Sequence, residues 1–208
     1  KELIYSYFLG MLLCDNDKYE EALSVLDRGL KMRSKETRLA LVSETFTAKG
    51  DVYFKMNKYH EAYLEYDSAL VYNKDNILCL NNYAYYLSLQ NENLDKAEEM
   101  SYRTIKAEPE NRVYLDTYAW ILFMQGKYQK AQEYMDKVVP RDSTEHFLLT
   151  DDHTTSAILE HAADIAWMTG DEERAIYLWE LAVRRNDDDA TPMLKKKARK
   201  KKYYKGSI

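Results

Sequence analysis

The sequence predicts an all-α protein, a solenoid of five helix-turn-helix units closed by a further helix at the C-terminal end. Three observations predict it. An alanine recurs early in the second half of each unit, at Ala22, Ala62, Ala97, Ala131 and Ala175, with gaps of 40, 35, 34 and 44 residues. Counting back from each alanine finds a second small residue, at Gly10, Gly50, Ala84, Ala119 and Ala163. Two antiparallel helices approach closely only where neither side chain is large, so paired small positions mark helix crossings. Around them larger apolar residues repeat at helical spacing: Leu9 and Leu13; Phe46 and Tyr53; Leu80, Tyr83 and Leu87; Leu115, Tyr118 and Leu122.

In chain order, the first unit covers residues 3–36. The second, 43–76, follows a stretch from Thr37 to Val42 that reads as added turns on a long first helix. Units three and four, 77–110 and 112–145, are near copies. Asn81-Asn82-Tyr83-Ala84-Tyr85-Tyr86-Leu87 aligns with Asp116-Thr117-Tyr118-Ala119-Trp120-Ile121-Leu122, 35 residues on. Gly126, Gly170, Asn57 and Asn91 sit in turns between paired helices, where the left-handed conformation that ends a helix is tolerated. Pro140 to Thr155 reads as irregular, with Asp151 or Thr154 capping the fifth unit, 156–189. Residues 192–208 form the basic closing helix and tail. Thr191 is its hydroxyl cap, Pro192 lies in its first turn, and the helix is expected to reach about Tyr204 with Leu194 and Ala198 on one face. All six pieces are expected to form one domain, since each unit buries its apolar face only against its neighbours.

The pattern resembles the tetratricopeptide repeat, whose period is 34 residues, in its bacterial tandem form. The resemblance covers about Leu3 to Asp187. It implies a right-handed solenoid whose first helices line a concave surface that holds an extended peptide or a partner helix. Departures from the family pattern at Ser6, Gly29, Lys49, Ser101 and Glu172 are expected to weaken single contacts without disturbing the register.

A second stripe on the first helices gives the candidate site. Asn81, Asn82 and Tyr85, then Asp116, Trp120 and Phe123, then Glu160, Asp164 and Trp167 lie beside the packing stripe at positions the resemblance assigns to the concave surface. Trp120, Phe123 and Trp167 are large groups that the packing stripe does not require, the kind that anchor interfaces. Asp116, Glu160 and Asp164 are expected to make the surface acidic. A subset of the family grips a C-terminal carboxylate with cations on this face. Here Asp51, Asp116, Thr117 and Glu160 stand where cations would, so that activity is not carried over. The expected partner is a protein or peptide with basic and apolar side chains.

Catalysis finds little support. The six glycines are absorbed by helix crossings, turns, a helix and the tail, leaving none for a phosphate-cradling loop. His146, Asp151, Asp152, His153 and His161 match no zinc spacing, so neither a metal nor a cofactor is expected. The tail is more pointed. Lys195, Lys196, Lys197, Arg199, Lys200, Lys201, Lys202 and Lys205 stand without an acid among them in a chain of net charge −5. Such a cluster suits a membrane surface or nucleic acid, the alternative function, or docking on acidic residues such as Asp187, Asp188 and Asp189. No run approaches the ~20 apolar residues that span a bilayer. Cys14 and Cys79 lie in different units without CxxC spacing. The chain begins without methionine, so a removed signal or further repeats are expected to be compatible with it, and compartment stays open between cytoplasm and bacterial cell envelope.

Overall fold

A computed structural model describes residues 2–185 and 190–205, and these are helical with no strand among them. The helices gather into two compact units, 1–86 and 87–208.

The first unit holds α1 (Glu2–Asp15), α2 (Tyr19–Lys31), α3 (Leu39–Lys55), α4 (Tyr59–Tyr72) and most of α5 (Ile77–Leu89). α1 pairs with α2 and α3 with α4, and α2 in turn packs on α3. The small positions explain the approach: a Cβ on Gly10 would sit 2.5 Å from Leu26 Cδ2, and one on Gly50 would enter the Tyr66 ring. Asp17 and Asn57 take positive φ, both 59°, in the tight turns that reverse each hairpin. Three of the departures from the family pattern find matching partners. Ser6 faces Gly29, where a Cβ would lie 2.5 Å from the serine Cβ, so each small residue makes room for the other. Lys49 is buried and bonded through Nζ to Asp27 at 2.9 Å and Glu65 at 2.8 Å. Burial disfavours the ammonium, but these two carboxylates outweigh it and raise its pKa.

The second unit holds α6 (Leu94–Ala107), α7 (Arg112–Met124), α8 (Tyr128–Val138), α9 (Glu145–Thr150), α10 (Ser156–Met168), α11 (Glu172–Arg185) and α12 (Pro192–Lys200). α7 pairs with α8 and α10 with α11; α6 packs on α7, α8 on α10, and α12 on α11. Leu122, Met135, Leu159, Ile165, Leu178, Trp179 and Leu194 are sealed in one core.

Three expectations are corrected here. The segment read as irregular contains α9, capped by Thr144, whose hydroxyl accepts from the Phe147 N–H. The cap of α10 is Thr155, not Asp151 or Thr154. Those two are engaged by Arg112, which donates to Asp151 at 2.6 Å, to Thr154 at 2.7 Å and twice to the Val138 carbonyl. One guanidinium thus ties α7, the end of α8 and the loop before α10 together. Finally, α12 stops at Lys200 rather than near Tyr204, because Lys201 turns into the left-handed region at φ 51°. Asp187, Asp188 and Asp189, the expected acidic dock for the tail, lie outside the described residues, as do the last three residues of the tail.

Candidate functional site

The candidate residues fall on first helices, and their repeat position decides which way they face. In the first unit Asp51 follows the small residue Gly50. It accepts from Tyr66 Oη at 2.6 Å and from Asn82 Nδ2 at 3.2 Å. In the second unit Asp164 follows the small residue Ala163. It accepts from Trp179 Nε1 at 2.9 Å and from Lys197 Nζ at 2.5 Å. The device is the same. A carboxylate beside the helix crossing receives an aromatic donor from the paired helix, 15 residues on, and a second donor from the next helix in the stack. Burial pushes both carboxyls up to about 6, against the lowering effect of those hydrogen bonds and of the cations near them. A third link of this kind joins α7 to α10, where His161 Nδ1 lies 3.0 Å from Asp116 Oδ1. Burial opposes the charged ring, but Asp116, Glu160 and Asp164 outweigh it and hold the His161 pKa above its ordinary value.

Asp116 and Asp164, expected on an open acidic surface, are therefore turned inward, 7% and 2% exposed, and paired within the fold. The physical reason is that carboxylates this close to a helix crossing leave water, and a buried charge persists only with partners. Phe123 is likewise buried. Trp120 and Trp167 remain half-buried. Trp120 stacks on Phe123, at 4.8 Å, and on His161, at 4.1 Å. Its indole N–H is enclosed and finds no acceptor among the described residues. Trp167 leans on Trp179 at 5.5 Å. Glu160 is half-buried and accepts from Lys197 Nζ at 2.8 Å. In the first unit Asn81 is buried, donates to Asn82 at 3.3 Å, and leaves its own Oδ1 without a donor among the described residues. Tyr85 is half-buried beside Tyr86.

The basic tail divides. Lys195, Lys196, Arg199, Lys200, Lys201, Lys202 and Lys205 face outward, with Lys201 at 3.3 Å from Glu180. Lys197 alone is turned in, 3% exposed. Tyr203, which the sequence reading did not single out, comes back after the Lys201 turn. It stands edge-on to Phe123 at 6.4 Å and over the Lys197 ammonium at 5.4 Å. Burial next to Asp164, Tyr128 and Glu160 pushes its hydroxyl up to about 12. The inter-helix carboxylate device had a legible signal as well: an acid immediately after the small residue, with Tyr or Trp 15 positions further on.

These pKa directions fix a pH dependence. Asp164 binds its proton more tightly folded than unfolded, so its contribution to stability falls as pH rises from about 4 through 6. The shift from 3.8 to about 6 corresponds to on the order of 3 kcal/mol. His161 stabilises while protonated, and that contribution is lost as pH rises through its elevated folded pKa. Both push the same way. Glu98 and Asp151, held below their usual range by their cationic and hydroxyl partners despite burial, act only below about pH 4.5. The thermal midpoint of the second unit is expected to be higher at pH 5 than at pH 8. Asp164→Asn should remove the Asp164 part of that slope and leave the His161 part. A slope unchanged in the variant would remove Asp164 from the account.

Helical hairpins crossing at paired small residues, with polar and aromatic stripes along their first helices, give this chain the fold of a tetratricopeptide repeat protein. No protein-family model matches the chain. Over 129 residues, 62% of its length, it is 25% identical to the TPR repeat-containing protein PA4667 of Pseudomonas aeruginosa, and the match spans 21% of that longer protein. Among solved structures, Pseudomonas aeruginosa PilF superposes with a TM-score of 0.69 at 18% identity, covering 96% of this chain and 86% of that one. The thermophilic TPR protein TTC0263 of Thermus thermophilus gives 0.67 at 15% identity over 95% and 97%. PilW, a type IV pilus biogenesis factor, gives 0.69 at 14% identity over 88% and 76%. At such identities the likeness is one of fold.

Proposed function

We propose that the protein is a non-enzymatic interaction scaffold, and that the face formed by α7 and α10 holds a peptide segment or helix of a protein partner. The observation that carries this reading is Trp120. It is a large half-buried ring held in place by stacking on Phe123 and His161. A large aromatic ring left partly open on a first helix is the kind of group that anchors an interface. Trp167 supplies a second apolar contact and Glu160 a negative rim, with Asp116 and Asp164 charging the site from beneath. The partner has basic and apolar side chains. Fold-level likeness to tetratricopeptide proteins supports a protein partner in general.

The test is affinity capture from the native cell with mass spectrometry, comparing wild type with the double variant Trp120→Ala, Trp167→Ala. Specific partners should fall at least tenfold while helical circular dichroism stays unchanged; undiminished capture would count against the face. The seven outward-facing cations of the tail favour a second reading, an adaptor held on an anionic membrane or nucleic acid. That reading expects salt-sensitive binding to anionic vesicles or oligonucleotides, lost when Lys195, Lys196, Arg199 and Lys200 become glutamine.

A further inference from the structure

We infer that the resident occupant of the α7–α10 face is the chain's own C-terminal arm, residues 190–205, and that a partner enters by exchanging with it. The partner segment would carry a lysine and, six residues on past a reversal of the chain, an aromatic residue. The inference rests on reading this face as the binding surface.

The arm already occupies part of this face. Lys197 Nζ reaches Asp164 and Glu160, and Tyr203 reaches Phe123 on α7 after the chain has doubled back at Lys201. α12 therefore does more than close the end of the stack on α11. Through Lys197 and Tyr203 it covers residues of both α10 and α7 that belong to the candidate site.

The same arm is built for release. α12 has nine residues, below the length at which a helix holds itself together in water. Seven cations crowd between Lys195 and Lys202 with no acid among them, and their mutual repulsion lies well within a Debye length. Only Leu194, Lys197 and Ala198 of this helix are buried. A segment bringing its own ammonium and ring would replace both contacts and leave the charge of the site unchanged, whereas a neutral or acidic segment would strand Asp164 and Glu160. Tethering gives the arm an effective concentration in the millimolar range, so it also sets a threshold the partner must exceed.

The experiment uses the full chain and a fluorescein-labelled synthetic peptide with the sequence of residues 190–205. The peptide should bind the full-chain double variant Lys197→Ala, Tyr203→Ala at least tenfold more tightly than wild type, because the variant's own arm has lost its hold. A peptide with alanine in place of its lysine corresponding to Lys197 should lose that binding. Equal binding to variant and wild type overturns the inference. Amide hydrogen exchange on the wild-type chain decides independently of whether the variant folds. Amides of α12 should exchange at least a hundredfold faster than those of α11, and equal protection overturns the exchange. The two readings fail separately. Capture lost with Trp120 and Trp167 alongside a locked arm leaves the binding face standing without exchange. A mobile arm with capture indifferent to the tryptophans removes the face, and with it the arm's proposed role.

Discussion

Trp179→Ala is expected to destabilise the second unit by about 3–5 kcal/mol, the range for emptying a large aromatic site in a sealed core. The side chain is fully buried, packs against Trp167, and gives its N–H to Asp164. Trp179→Phe separates the two contributions. It keeps most of the ring volume and removes the donor, so it should cost about 1–3 kcal/mol, the range for orphaning a buried polar partner. All three tryptophans lie in this unit, so the remaining two report its urea unfolding by fluorescence. A Trp179→Phe cost near zero would mean that Asp164 is satisfied by Lys197 alone.

Tyr66→Ala should do the same in the first unit, again by about 3–5 kcal/mol. Tyr66 is fully buried, stacks on Tyr83 at 5.2 Å and Tyr86 at 6.1 Å, and donates to Asp51. Its ring also fills the space that Gly50 leaves open. Tyr66→Phe removes only the hydroxyl. Asp51 then keeps Asn82 but loses its shortest bond, for an expected loss of about 1–3 kcal/mol. Thermal melts followed by circular dichroism measure both variants. If Phe at this position were neutral, the shared carboxylate device would be packing in the first unit and a hydrogen bond only in the second.

The parallel between Tyr66 and Trp179 shows what kind of information a single chain yields. The hairpins were legible because small residues and apolar stripes follow from local geometry: a helix period and a crossing distance leave a mark every few residues. The orientation of the acids was not. Asp116 and Asp164 sit on the second stripe, beside an exposed-looking run of polar residues, and nothing within one helix says whether that stripe meets water. Their partners lie 45 and 33 residues away, on helices whose stacking has to be formed first. Lys49 escaped for the same reason. A lysine on an apolar stripe reads as a weak contact until Asp27 and Glu65 arrive from two other helices.

By itself, then, the sequence determined that the chain is helical, where its hairpins turn, and which residues share a face, because those properties depend on spacing along one helix. Only the tertiary structure decided which of those faces stay open, since burial is a property of what packs opposite. It turned the acids inward to bind neighbouring helices, and it left Trp120 half-buried against Phe123 and His161. It also brought Lys197 and Tyr203 of the C-terminal arm onto the face the sequence had marked for another molecule.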